Sequence, residues 1–241
     1  MSEDSKLKIK SRGIDPKDKR FFCSEEVKRL KVAVEEIIWL LNRGYHIKSI
    51  LELVGGRYQF SSRQRIALQR SVCTDEQLEN RVNKELKSIE LKDRSIYIDG
   101  FILIILLEVA FSSGLLIKCR DGAIRDLAGL RGTYRLIDKT DIVLNLLGKV
   151  FYDLKVNNVI FYLDSPVSNS GKLKSRILEV SEKWTTEINV EIVQNPDTIL
   201  EKMDFVISSD SIILDKCNSW FNLSRYIIDN YIKAIKIINL N

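Results

Sequence analysis

Apolar residues recur at helical spacing through the first third of the chain and gather into short unbroken runs after it. In VKRLKVAVEEIIWLLNRG the apolar positions Leu30, Val34, Ile37, Ile38 and Leu41 share one helical face, and Gly44 stops the run. Ser24, followed by Glu25 and Glu26, predicts the start of that helix. A shorter helix, IKSILELV, is expected to end at Gly55-Gly56, and Ser61 or Ser62 caps a third, RQRIALQRSV. Thr74-Asp75-Glu76 opens a charged helix expected to reach about Asp93. Residues 21–93 thus read as an all-helical module, preceded by a basic, partly mobile arm over 1–20.

The pattern changes at Ser95. Strands are predicted at 95–99, 115–119, 158–163, 187–193 and 204–208, and helices at 101–112, 139–154, 172–184, 196–203 and 222–236. Alternating strands and helices predict a parallel α/β sheet over residues 94–241. Doubly apolar runs suit strands buried on both faces. Three of them end on an acid: SIYID on Asp99, VIFYLD on Asp164 and FVISSD on Asp210. Acids at the C-terminal ends of parallel strands meet at the edge where open α/β sheets bind ligands. Carboxylates gathered there repel one another unless a cation lies between them, and hard oxygen donors suit Mg²⁺ or Mn²⁺.

Each acid also has a plainer reading. Asp99 and Asp210 are good helix caps, and Asp215, about one turn beyond Asp210, can be a solvated charge. Glu108 inside the apolar FILIILLEVAF is costly unless it meets a metal or an arginine such as Arg125. The loop after Asp164 offers Ser168, Asn169 and Ser170 at a helix start, an anion nest or an ordinary capped connection. Its string lacks the lysine placement of a Walker A loop.

Charge adds a second theme. The chain of 241 residues carries a net charge of +5. Residues 1–72 hold 16 Lys/Arg against 9 Asp/Glu, whereas the remainder holds 22 against 24. A basic region beside an acidic edge suits a polyanion held by one and presented to the other, although a solvated lysine-rich surface gives the same count. Two arginine clusters are candidates for phosphate contacts: Arg57, Arg63, Arg65 and Arg70 with Tyr58 and Phe60, and Arg120, Arg125, Arg131 and Arg135 with Tyr134 as a base-stacking residue. The acids interleaved with the second cluster also fit a salt-bridged loop.

Other chemistries are poorly served. His46 is the only histidine, so a multi-histidine zinc site is excluded. Cys23, Cys73, Cys119 and Cys217 have no CxxC spacing and suggest a reducing cytoplasm. The charged start MSEDSKLKIK is no secretory leader, and the apolar stretch around 97–119 is broken by Asp99, Glu108 and Ser112-Ser113-Gly114, so no membrane span is expected.

The strings RGIDPKDKRFF, WLLNRGY, LVGGRYQFSSRQRIALQRS, IYIDGF, RDGAIRDLAGLRGTYR, LDSPVSNSGKL and SSDSIILD together resemble a prokaryotic, largely archaeal family. It joins the domain of unknown function numbered 434 to a second uncharacterised domain, and the resemblance runs from about Ser11 to Ile228. The C-terminal half is further similar to the PIN/NYN group of nuclease folds. That similarity implies a PIN-like sheet in which Asp99, Asp164 and Asp210 bind Mg²⁺ or Mn²⁺ and cleave RNA, with Glu108 and Asp215 as further ligands. It also implies an Asn three residues after the first Asp, where this chain has Ile102. The expectation is therefore a cytoplasmic metal-dependent ribonuclease or RNA-processing protein. A non-catalytic RNA- or ribosome-binding protein of the same fold is the alternative, and a phosphatase-like or nucleotide-binding protein a third.

Overall fold

The computed structural model describes residues 11–129, 132–233 and 235–241. Its elements run α1 (Asp18–Phe21), α2 (Ser24–Leu41), α3 (Ile47–Arg57), α4 (Ser62–Ser71), α5 (Asp75–Asn83), a 3-10 turn (Ser88–Leu91), β1 (Ser95–Asp99), α6 (Gly100–Phe111), β2 (Leu116–Lys118) and β3 (Ile124–Asp126). They continue with α7 (Asp138–Asp153), β4 (Asn158–Asp164), α8 (Ser170–Ser181), β5 (Glu187–Val193), α9 (Asp197–Leu200), β6 (Val206–Ile207), α10 (Ser211–Lys216), α11 (Leu223–Tyr231) and β7 (Ile237–Asn239). The architecture is mixed α/β, a helical N-terminal region followed by a parallel sheet with helices.

Local chemistry accounts for several helix starts, although Ser24 is the first residue of α2 and not its cap. Ser61 and Gln64 close a reciprocal capping box at α4, and Thr74 and Gln77 do so at α5. Two helices differ from expectation. α3 runs through Gly55-Gly56 to Arg57, because Gly55 lets the Arg65 guanidinium lie against the helix: a Cβ there would stand 2.6 Å from Arg65 Cζ. Arg65 in turn donates to the carbonyls of Leu51 and Phe60. α5 stops at Asn83 rather than near Asp93, since the chain turns there so that the Leu86 N–H meets the Trp220 carbonyl.

The main sheet is parallel throughout, in the order β5-β4-β1-β6. Strand alternation splits its side chains between two layers. Ile96, Ile98, Val159, Phe161, Leu163 and Val190 join the large core under α6, α7, α8 and α11. Ile160, Tyr162 and Val206 join a smaller core with Leu200 of α9, Ile213 and Leu214 of α10, and Trp220. All three carboxyl-bearing turns after β1, β4 and β6 therefore leave the sheet from one edge.

The predicted strand 115–119 does not enter this sheet. It forms the centre of a second one, ordered β3-β2-β7, with β3 antiparallel and β7 parallel to it. β3 lies inside the arginine-rich segment expected to be a loop, and the helix expected over 222–236 ends at Tyr231, ahead of β7. This small sheet is a shared wall. Leu115, Ile117, Cys119, Ile238 and Leu240 face the core of α2, α3 and α4, while Leu116 and Ile124 face the large core. Residues 11–20, part of the expected arm, pack against the protein: Asp18 is buried against Arg63 at 2.5 and 2.8 Å, and Arg12 reaches the interior.

Candidate acidic site at the sheet edge

Asp99 ends β1 and caps α6, its Oδ1 accepting the Ile102 N–H at 3.3 Å, while Ser208 Oγ donates to Oδ2 at 3.3 Å. Asp164 ends β4, two residues beyond the position paired with Asp99. Asp210 follows β6 and caps α10, accepting from Ile212 N–H at 2.7 Å and Ile213 N–H at 3.4 Å. Its own N–H donates to Ser208 Oγ at 3.0 Å, so one serine ties the turns after β1 and β6 together. The capping roles expected as the plainer reading of Asp99 and Asp210 are thus present, and the three acids share one edge.

Electrostatics joins them. Burial raises the Asp99 carboxyl to about 8, against the lowering pull of the Ile102 N–H, and the charges of Asp164, Asp210 and Asp197 add to the rise. Burial raises Asp164 as well. Asp197, the first residue of α9, is raised by burial and then by Asp210 and Asp164. It is the fourth acid of this edge, and sequence reasoning passed over it. The rule that selected the other three would have found it, because it follows the predicted strand 187–193 by a short turn through Asn195-Pro196.

Among the described residues, no group of three or more His, Cys, Asp or Glu side chains stands arranged to hold a metal ion. The four carboxylates form an open acidic rim, not a closed cage. Their donor chemistry suits a hard cation, and the raising of Asp99 and Asp197 by burial and by the neighbouring acids is the electrostatic condition that a cation would relieve.

Glu108 and Asp215 stand apart from this rim, each in its own ion pair. Glu108 is fully buried and meets Arg12 at 2.6 Å, with Tyr134 Oη donating at 2.7 Å and Thr140 Oγ1 also donating. Burial raises its carboxyl, against the lowering pull of Arg12. Its cation is thus Arg12, and Tyr134 is a core residue under the Arg12 guanidinium instead of an exposed stacking platform. Asp215 pairs with Arg81 at 2.6 Å and accepts from Gln77 at 2.8 Å.

Most of the candidate phosphate-binding arginines are spent inside the protein. Arg63 holds Asp18 and the Gly13 carbonyl, and Arg65 holds α3. Arg120 holds Asp75 and the Cys73 carbonyl. Arg125 is buried, forked onto Asp121 at 3.0 and 2.6 Å, with Nε donating to the Ser209 carbonyl at 2.6 Å and Nη1 to the Arg70 carbonyl at 3.0 Å. It links the end of α4 to the residue before Asp210. Arg57 and Arg135 are exposed, and Arg131 lies outside the described residues. The Ser168-Asn169-Ser170 turn holds residues 132–134: the Ser168 carbonyl accepts the Tyr134 N–H, and Asn169 Nδ2 donates to the Tyr134 carbonyl at 2.8 Å.

Arg70 is different. A cleft of about 460 Å³ opens between α4 and α10, lined by Ile66, Gln69 and Arg70 on one side and Ser209, Asp210, Ser211 and Ile212 on the other, with Ile102 among its walls. Arg70 is anchored to Asp126 at 3.5 Å and to its carbonyl, and its side chain remains partly exposed. The Arg70 guanidinium and Asp210, one acid of the rim, thus border one cavity large enough for a small-molecule or single-residue ligand.

These features define a two-part α/β protein with a carboxylate-rimmed sheet edge, and comparison with known proteins gives its family. A model described as "Domain of unknown function (DUF5616)" matches residues 86–226, and one described as "Protein of unknown function (DUF434)" matches residues 29–84. An uncharacterised protein of Methanocaldococcus jannaschii is 30% identical over 209 residues, spanning 87% of this chain and 98% of that protein. The chain belongs to the DUF5616 family and carries the DUF434 segment ahead of it. No solved structure matches it. No helix among the described residues is long and apolar enough to cross a membrane.

Proposed function

We propose that this protein is a PIN-like, divalent-cation-dependent ribonuclease or RNA-processing protein that works at the Asp99–Asp164–Asp197–Asp210 rim. The observation that carries the reading is the placement of four carboxylates on four turns at the C-terminal edge of one parallel sheet, with Asp99, Asp164 and Asp197 each held above its usual range. A bound Mg²⁺ or Mn²⁺ would supply an activated water and charge stabilisation at the scissile phosphate. The chain itself would bind a phosphate through Arg70, hold Asp210 through its cap and the Ser209 carbonyl, and orient Asp99 through Ser208 and the Ile102 N–H.

Ile102 favours a second reading, a non-catalytic RNA- or ribosome-binding protein of the same fold. It borders the cleft and offers Asp99 only a backbone N–H, where an Asn side chain would fix the carboxylate's orientation. Cleavage of end-labelled RNA with Mn²⁺ separates the two. Weak cleavage by the natural chain, increased in Ile102→Asn and lost again in Ile102→Asn/Asp210→Asn, is the expected pattern. No cleavage by either natural or Ile102→Asn protein, with RNA still retained at low salt, transfers the assignment to the binding protein.

A further inference from the structure

Helices α2 and α3 carry a feature that the acidic site does not use. A groove of about 320 Å³ lies between them, lined by Glu36, Trp39, Leu40, Leu53, Val54 and Arg57. Trp39 is 55% exposed and Leu53 65%. The Arg43 guanidinium lies 3.5 Å from the Trp39 ring centroid and donates to the Trp39 carbonyl, which holds the indole in place. Leaving such apolar surface in water forgoes the stabilisation that its burial would supply. A rigid tryptophan beside an apolar groove has the character of the anchors found at the centres of protein interfaces.

Gly56 adds an independent sign. It stands three residues from Leu53 in α3, and a Cβ there would meet nothing within 4 Å. Glycine weakens a helix interior, and no contact among the described residues requires it. Its neighbour Gly55 is required by Arg65, as shown above. Close approach of another surface is a physical reason for bare backbone at position 56.

The surrounding charges choose the occupant. Glu35, Glu36 and Glu52 stand on these helices together with Lys48 and Arg57, and Arg43 lies in the turn between them; Arg57 pairs with Glu36 at 3.2 Å within the chain, while Glu35, Glu52, Arg43 and Lys48 are exposed. A polyanion needs one sign of charge, and three carboxylates would repel it. A patch bearing both signs is complementary to itself across a twofold axis. We propose that the Trp39–Leu53 face is the interface of a homodimer, with each Trp39 seated in the other chain's groove and Glu35 and Glu52 facing Arg43 and Lys48 across the axis.

Sedimentation equilibrium on the full chain tests this. The natural protein is expected to be dimeric at about 100 µM. Trp39→Glu and Leu53→Glu, both at exposed positions, should each weaken association at least about tenfold while leaving the circular dichroism spectrum unchanged. Gly56→Ala should raise the melting temperature of the separated chain yet also weaken the dimer, an opposition that a purely structural glycine would not produce. A natural protein that stays monomeric at this concentration overturns the proposal. So does a dimer that survives both glutamate variants. A monomer whose binding to RNA is lost in Trp39→Glu also overturns it and gives the face to nucleic acid.

Discussion

Replacing Asp121 by Asn removes one charge from the centre of the most buried ion network in the described structure. Asp121 is 3% exposed and accepts from Arg125 at 3.0 and 2.6 Å and from Arg81 at 2.6 Å. Arg81 and Arg125 are buried too, so the variant leaves two guanidiniums without their shared anion. Breaking a single buried pair costs about 3–5 kcal/mol, because the remaining charge stays desolvated. For a chain of this size that corresponds to a fall in melting temperature of about 6–20 °C. Asp141, paired with Arg176 at 2.6 Å on the surface, is the control, and Asp141→Asn should cost less than about 1 kcal/mol. The pH dependence follows the same charge. Burial raises the Asp121 carboxyl, but Arg125 and Arg81 outweigh it and hold the group below its ordinary value of 3.8. Its contribution is therefore present above about pH 4 and lost as pH falls through the lower folded value, and the Asn variant should lack that component of acid unfolding. Since Arg125 also holds the Ser209 carbonyl, amide exchange over Ser208–Ser211 should quicken in the variant. Thermal and urea unfolding together with hydrogen exchange provide the measurements. A loss no greater than that of Asp141→Asn would refute the reasoning.

Asp99→Asn should act in the opposite direction. The folded carboxyl is raised to about 8, so the natural protein should lose stability as pH rises from about 4 to about 8, by up to about 5 kcal/mol. The variant should lack this component of the pH dependence, leaving the smaller slope of the other raised carboxyls, and should be more stable at pH 8 in chelator; a less stable variant there would count against the burial argument. Added Mn²⁺ should raise the melting temperature of the natural protein more than that of Asp99→Asn, and equal shifts would speak against a cation at this rim. Gly55→Ala should destabilise by about 1–3 kcal/mol, because its Cβ meets the Arg65 guanidinium that holds α3; a neutral result in urea melts would show that Arg65 moves freely. Arg70→Ala should weaken RNA retention and flatten its salt dependence by about one phosphate contact, without loss of fold. An unchanged salt slope in filter binding would remove Arg70 from the interface.

The sequence by itself determined the elements whose signals are local. Alternation and apolar runs marked β1, β4 and β5, helical spacing marked α2 and α7, and the capping residues Ser61 and Thr74 marked two starts, because each depends on residues a few positions apart. The same local rule placed Asp99, Asp164 and Asp210 at strand ends, and a parallel sheet then brings strand ends to one edge without further information. Asp197 obeyed that rule but was read as part of the helix expected over 196–203. What the sequence left open was every choice of partner. LLIKC has the same pattern in either sheet, and only the arrival of Ile237–Asn239, more than a hundred residues later, assigns β2 to the second one. An arginine shows its charge in the sequence but not its counterion. Of the arginines expected to bind phosphate, Arg63 finds Asp18, Arg120 finds Asp75, and Arg125 shares Asp121 with Arg81, and these pairings turn them into internal supports. Only the tertiary structure leaves Arg70 on the cleft beside Asp210, because burial and long-range pairing depend on which distant segments pack together, and that is decided by the whole fold.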